Sequence, residues 1–430
     1  MTTTRRDVGS LDAALVTVGA MIGSGIFYTP AEVARATGST ARALAAWGLG
    51  AALSLLGALT LAEPGAAIPG TGGLYLYLRR AFGPRVAFLF GWAMLVVLVP
   101  SSVAFFAGVT ARHVAPLLGA SERLVSLAVI ALVTVINVIG VRHAARVQSV
   151  TAALKYVGIA LVALAAFASG APPPAASTLA PGSILAAVVP ALWAYDGWID
   201  ITSIAGEVRD PERVIPRALV AGTLAVALVY LVVVVAYHTA LGTVGLAAAG
   251  APGNALGAHV AGAAGMRAVG ALVAVSCFGG CMIGMLTGTR VIAAMGEEGG
   301  ALRGFAVLGR AGTPDRAIVA TALLAMGYGL SAQLGRLAEV FVVGAWPFYA
   351  LGALATIALR RKEPELARPY RVPGYPWTPL LFFVATVGML VSFARTSPRL
   401  VALSFGVIAL GAPVYELARR WGRVSGGGGR

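Results

Sequence analysis

Two short stretches place glycine, serine and aspartate where an apolar helix would otherwise run unbroken. The first is GAMIGSGIFYTP, Gly19 to Pro30; the second is WAYDGW, Trp193 to Trp198. Glycine in a helix interior costs roughly 1 kcal/mol relative to alanine, so both helices are predicted to open there. The half-helix that starts after such a break has N–H groups without partners and the positive end of the helix dipole, which suit a carboxylate. The half that ends at the break has free carbonyl oxygens, which suit an ammonium. A helix broken in this way is a receptor for a zwitterion. The plainer alternative is a kink that binds nothing, and a second break in a matching position argues against it.

Charged residues inside apolar segments come next. Lys155 lies in TAALKYVGIALVA, about 10 Å into its segment at 1.5 Å rise per residue. It either snorkels to the headgroups or sets its ammonium against the bare carbonyls of the first break. Ser276, Gly280, Gly284 and Gly288 form a stripe of small residues at helical spacing, which suits close packing; Ser276 is also a candidate to face Lys155. Asp200 and Glu63 read as gate or packing ions, and Trp346, Phe348 and Tyr349 as packing or an outer gate. Cys277 and Cys281 share a helix face and read as packing, with no zinc quartet and no disulfide framework. No HExxH, no GxSxG and no clustered histidines occur, so no catalytic residue and no metal ligand is assigned, no cofactor is implied, and the chain is not expected to be an enzyme.

The elements that must position these groups are membrane helices. Of the 430 residues, 58% are hydrophobic and 11% charged, against about 25% charged in a soluble domain; mean hydropathy is +0.85. Apolar runs of about 20 residues recur, each long enough to cross a hydrocarbon core. Helices satisfy their own backbone in lipid, and the 10-residue alternation of a barrel is missing. The fold class is therefore all-α and polytopic. Twelve spans are predicted, at 11–34, 41–66, 84–112, 121–140, 148–170, 184–206, 217–240, 266–294, 316–333, 336–360, 377–396 and 398–420. The first is not a cleavable signal peptide, because no small-residue cleavage site follows a short apolar core.

The net charge of +15 does not indicate nucleic acid. Most Lys and Arg residues fall in the loops on one side of the predicted spans, and few on the other. That bias places both termini in the cytoplasm, with the chain in the cell's inner (plasma) membrane. Broken spans 1 and 6 open two sets of five spans. Five is odd, so the sets enter the membrane from opposite sides, and paired breaks in inverted halves point to a midplane site. The units are 1–170, 184–361 and 377–421, with a flexible tail at 422–430. PGTGGLYLYLRRAFGP (Pro69–Pro84) reads as a helix along the inner surface, and EVRDPER (Glu207–Arg213) as a solvated gate segment.

Several stretches resemble the amino acid–polyamine–organocation superfamily, most of all its prokaryotic L-type amino acid transporters. GAMIGSGIFYTP resembles the first-helix signature, and WAYDGWIDITSIAGEVRDPERVIPRAL the sixth helix with its loop. PGTGGLYLYLRRAFGP is similar to the inner surface helix, and RKEPELARPYRVPGYPWTP to the stretch after helix 10. LVPSSVAFFAG and NVIGVRHAARVQSVTAALKYVGI look L-type as well. The resemblance runs over nearly the whole chain, in order. It implies a five-plus-five inverted repeat with helices 1 and 6 broken and two further C-terminal helices. It also implies alternating access, a bundle of helices 1, 2, 6 and 7 rocking against a scaffold of 3, 4, 8 and 9.

By the same resemblance, Gly23, Ser24 and Gly25 bind a substrate carboxylate, and the carbonyls of Met21, Trp193 and Asp196 hold its ammonium. Ile22 and Ala194 belong to the same two segments. Ile26, Tyr195, Trp198 and Ser102 would shape the pocket. Lys155, with Ser276, would couple the broken helix to the scaffold, where sodium-driven relatives hold a sodium ion. Two positions depart from the pattern: Leu74 replaces the usual acidic residue of the surface helix, and Asp196 replaces a glycine. Asp196 either favours cationic cargo or caps the broken helix. The implied function is secondary active transport of amino acids, by sodium-independent exchange of neutral ones. Proton-coupled symport and antiport of cationic amino acids or polyamines are the alternatives. A channel or nutrient receptor on the same fold is a more remote one. The partners are a small amino acid and the lipid bilayer; no accessory subunit is evident.

Overall fold

In the computed structural model, residues 8–23, 25–168, 180, 182–297, 300–331 and 334–425 are described. Ser24 and the glycines of the C-terminal tail lie outside them. The described residues are helical, with two isolated bridges, Val8 with Val208 and Thr71 with Ile204, and no longer strand. The first predicted span is α1 (Ser10–Met21) followed by α2 (Gly25–Thr37). Then come α3 (Thr40–Ala67), the short α4 (Leu74–Phe82) and α5 (Pro84–Ala93). A π-helical turn, Met94–Leu98, joins α5 to α6 (Val99–Leu118). Next are α7 (Glu122–Ile139) and α8 (Val141–Ala168). The sixth predicted span is α9 (Ile184–Tyr195) and α10 (Asp200–Ser203). It is followed by α11 (Pro211–Ala248), α12 (Pro252–Gly296), α13 (Asp315–Ser331) and α14 (Leu334–Lys362). The chain closes with α15 (Trp377–Thr396), α16 (Pro398–Ala409) and α17 (Gly411–Ser425).

Among the described residues nine helical segments are long and apolar enough to cross a membrane, and the bent pair α1–α2 makes ten. The two other predicted spans are held by shorter elements. One is α9, 12 residues, and the other α13, 17 residues. Residues 422–425, assigned to a flexible tail from sequence, instead continue α17, because the glycine run that ends a helix begins only at 426.

The helices pack in two groups. In one, α11 lies along α3, α1 and α2, and α9 lies against α2 and α3. In the other, α12 lies along α6 and α8, and α6 against α7 and α13. The small-residue stripe on α12 explains the second group's close approach. A Cβ at Gly280 would come within 3.0 Å of the Phe106 ring, and one at Gly288 would collide with Val99. Gly284 is different: only Ser102 Oγ, at 3.9 Å, comes near.

Ion pairs, one set buried and one exposed, tie the ends together. Glu63, 2% exposed on α3, accepts from Arg360 Nε at 2.7 Å and Nη2 at 2.5 Å and from the Val372 amide at 2.7 Å. Arg368 Nε stands 3.4 Å away. The expected role of Glu63 as a packing ion is thereby met. On α4, Arg80 forks onto Glu363 at 2.8 and 2.5 Å, and these bonds hold the Glu363 carboxyl below its ordinary range.

Replacing Glu63 by glutamine keeps the shape and removes the charge that two guanidiniums share. Since breaking a buried pair costs about 3–5 kcal/mol and Arg360 is partly exposed, a loss of roughly 2–3 kcal/mol is expected. Thermal unfolding of the detergent-solubilised protein checks it; an unchanged melting temperature refutes it.

Candidate functional site

The two breaks meet. Helix α1 ends at Met21, and Ile22 turns away from helix with φ −78° and ψ 84°; the Gly23 amide then bonds back to the Met21 carbonyl at 2.9 Å. Helix α9 ends at Tyr195, where Asp196 is extended, with ψ 161°, and Gly197 takes φ +103°. A Cβ on Gly25 would lie 2.5 Å from Ala194 Cα, and one on Gly197 would lie 2.7 Å from the Ala20 backbone. Glycine is therefore required at both places by backbone touching backbone, and at Gly197 by its positive φ as well.

Bare carbonyls in an apolar interior must find donors, and here they find them on neighbouring helices. Lys155 on α8 is 0% exposed, and its ammonium donates to Gly19 O at 2.9 Å and Ile22 O at 2.5 Å. Snorkelling is excluded by that burial. Ser276 Oγ on α12 donates to Gly23 O at 3.1 Å, and the Tyr230 hydroxyl on α11 donates to Met21 O at 2.9 Å. The carbonyl end of the first break is thus tied to three other helices. Its opposite end, the first turn of α2, starts at Gly25 with amides that no intrahelical carbonyl serves.

Between the breaks lies a cavity of about 90 Å³. Met21, Gly23 and Gly25 line it from the first break, and Trp193, Ala194 and Asp196 from the second; Ser102 contributes from α6. These are seven of the residues picked from sequence. Ile22, Ile26, Tyr195 and Trp198 do not line it. Successive helical positions turn by a large angle, so neighbours of a lining residue face elsewhere. Ile26 is wholly buried. Tyr195 packs its ring on Trp47 and Tyr230, and Trp198 packs on Tyr349 and Phe382.

Asp196 does not cap a helix start. Ile199 holds the N-cap position of α10, without a side-chain bond, and Asp196 Oδ1 accepts from the Tyr349 hydroxyl at 3.1 Å. Asp200 lines the same cavity, and its Oδ2 stands 3.4 Å from Thr287 Oγ1, whose hydroxyl also has the Ile283 carbonyl at 2.9 Å as an acceptor. Tyr349 is therefore a cavity residue, while Trp346 and Phe348 pack in the core. Tyr230 and Thr287 are the residues that sequence reasoning missed; an isolated tyrosine or threonine in a span gives no periodic signal to find it by.

Side-chain groups stand on two sides of the cavity. On one side the Trp193 indole stacks against Phe106 and meets Phe105 and Phe341 edge-on, with ring centroids 5.1–6.1 Å apart. Beyond it lies a second cavity of about 440 Å³, which Trp193 also lines, with Tyr28, Glu32, Arg112 and Glu339. On the other side Glu207 accepts from Arg290 Nε at 2.6 Å, both largely buried. Only the later part of EVRDPER is solvated, since Val208 is buried and Arg209, Asp210, Glu212 and Arg213 are exposed.

Comparison with known proteins gives the same direction throughout. The family model described as amino acid permease matches residues 8–411. The serine/threonine exchanger SteT of Bacillus subtilis (strain 168) is 30% identical over 422 residues, 96% of each chain. The b(0,+)-type amino acid transporter 1 of Rattus norvegicus is 32% identical over 413 residues, 92% of this chain and 84% of the relative. The human cystine/glutamate transporter is 27% identical over 442 residues, 97% of this chain and 86% of the relative.

Lys155→Met keeps the volume and removes the tie to α1. Two carbonyls lose a donor, at about 1–3 kcal/mol each. A desolvated ammonium, costing several kcal/mol, disappears with it. Stability is expected to change little, while amino acid counterflow falls at least tenfold, the effect of about 1.4 kcal/mol on the balance of states. Wild-type counterflow in a folded variant refutes the role.

Proposed function

The chain belongs to the amino acid permease family of the amino acid–polyamine–organocation superfamily, and on that premise we propose that it exchanges neutral amino acids across the plasma membrane by alternating access. The observation that carries this reading is the meeting of two opened helices at one cavity. The open amides of α2 receive the substrate carboxylate, with Gly23, Ser24 and Gly25 around it. The substrate ammonium is held by the carbonyls of Met21, Trp193 and Asp196, with the Met21 oxygen exchanging one of its two donors, the Gly23 amide or the Tyr230 hydroxyl, for the substrate. Ser102, Trp193 and Gly284 bound the side chain, and the modest cavity suits small ones such as those of alanine and serine. The two packed helix groups are the moving parts: α1, α2, α3, α9, α10 and α11 turn against α6, α7, α12 and α13. Twelve spans in two inverted repeats, with both termini in the cytoplasm, complete the reading.

Sodium independence is supported by Lys155. Its ammonium already takes the carbonyls of Gly19 and Ile22, so a positive charge built into the chain stands where a cation would otherwise have to bind. A second reading, cationic cargo, is favoured by Asp196, whose carboxylate faces the cavity with a hydroxyl as its partner.

Proteoliposomes loaded with unlabelled alanine test the function. Labelled alanine is expected to enter only when internal amino acid is present, at the same initial rate when sodium is replaced by a large organic cation. Serine and leucine in the bath should compete. Uptake that depends steeply on sodium, or that needs no internal amino acid, refutes the reading. Competition by arginine alone moves it to cationic cargo.

A further inference from the structure

Two carboxylates four positions apart, Asp196 and Asp200, open onto the central cavity. Among the described residues no cation is placed against either. The side-chain neighbour of each is a hydroxyl: Tyr349 donates to Asp196 at 3.1 Å, and Thr287 Oγ1, which also has the Ile283 carbonyl at 2.9 Å as an acceptor, lies 3.4 Å from Asp200 Oδ2. The charged groups of the surrounding helices are committed elsewhere. From α8, Lys155 donates to Gly19 and Ile22. On α12, Arg290 stands one turn beyond Thr287 and gives its hydrogen bonds to Glu207 and the Leu286 carbonyl; the Cys281 thiol turns to Val103 O. Helix α1 presents neutral backbone here, α14 presents Tyr349, and α11 sends the Tyr230 hydroxyl to Met21. Two like charges in a site of low dielectric do not both stay ionised without compensation. A zwitterionic cargo brings no net charge to provide it.

We propose that Asp200 is the group that balances charge during transport: it crosses carrying a proton when the cargo is neutral and without one when the cargo's side chain brings its own cation. This rests on the amino acid exchange reading above. Asp200 rather than Asp196 is assigned because of where its partner sits. Asp200 sits on α10, the second half of the span that α9 opens, and α10 packs against α1, α11 and α12; Thr287 belongs to α12, so the Asp200–Thr287 contact joins the broken span to the other helix group. Tyr349 belongs to α14, which packs against members of both groups. The proton bonds to a carboxylate oxygen of Asp200 from water on the side to which the cavity is open. It returns to water on the other side; no other bond forms or breaks.

The experiment uses the full chain in proteoliposomes containing a lumenal pH dye, loaded with 2,4-diaminobutyrate, an amino acid whose short side chain ends in an ammonium, and bathed in alanine. The expected result is that about one proton enters the lumen for each alanine exchanged. The exchange should be insensitive to a clamped membrane potential. Alanine-for-alanine exchange should move no net proton. In Asp200→Asn the protons moved per alanine should fall at least tenfold in whatever exchange remains, and that exchange should become sensitive to potential. The wild-type ratio decides the matter alone if the variant does not fold. A wild-type exchange that is electrogenic with no pH change overturns the proposal. So does failure of diaminobutyrate to exchange while alanine does, and so does an Asp200→Asn variant that keeps the wild-type ratio. Absence of exchange for every amino acid overturns the transporter reading itself.

Discussion

Everything in this protein is arranged around unpaired backbone in a place without water. Two helices open at the same level and touch there, Gly25 on Ala194 and Gly197 on Ala20. Contact that close admits no side chain at either glycine. An exposed carbonyl in an apolar interior costs several kcal/mol when it has no donor, and here a run of them falls between Gly19 and Gly23. The fold answers with a lysine, a serine and a tyrosine from three different helices. Their hydrogen bonds define where the first break can be and how far it can open.

The same bonds join the two helix groups. Lys155 and Ser276 sit on helices of the α6–α12 group or packed against it, and both reach to α1 and its break. Tyr230 reaches from within the group that contains α1. The break is therefore held from both sides, and a turn of one group against the other must either carry these bonds along or exchange them. At the far end, Glu207 with Arg290 and the bridges of Val8 and Thr71 hold the segment after α10 to its neighbours. Few polar contacts hold the two groups in one arrangement, which is what a structure with two alternating arrangements requires.

Much of this was legible in the sequence, for local reasons. Glycine runs in apolar segments announce breaks because helix propensity is a local quantity. Lys155 announced a partner because a charge within a span needs one, and the partner proved to be the first break. Family resemblance placed Met21, Gly23, Gly25, Trp193, Ala194, Asp196 and Ser102 at one cavity, where they are found. What stayed hidden was orientation and long-range pairing. Ile26 and Tyr195 lie beside lining residues in the chain, yet face the packed interior, because the helical turn separates neighbours, and Trp198, in the break itself, packs on Tyr349 and Phe382. Tyr230, Tyr349 and Thr287 are distant in sequence from the groups they bond, and no spacing rule connects them. Asp196 was offered a cap by composition and took a tyrosine hydroxyl instead, since α10 begins three residues later than a cap at 196 would need.

Trp193 has an electrical consequence. It lines the cavity between the breaks and the larger one beyond, so the two spaces are divided by one indole and the phenyl rings of Phe105, Phe106 and Phe341. Water conducts and this aromatic layer insulates. In the arrangement that opens the cavity to water past Glu207 and Arg290, a membrane potential falls mainly across this layer rather than evenly over the bilayer, much as voltage drops across the thinnest dielectric in a circuit. An ion that passes Trp193 gains or loses most of the roughly 2.3 kcal/mol that 100 mV assigns to one charge, within a displacement of a single side chain.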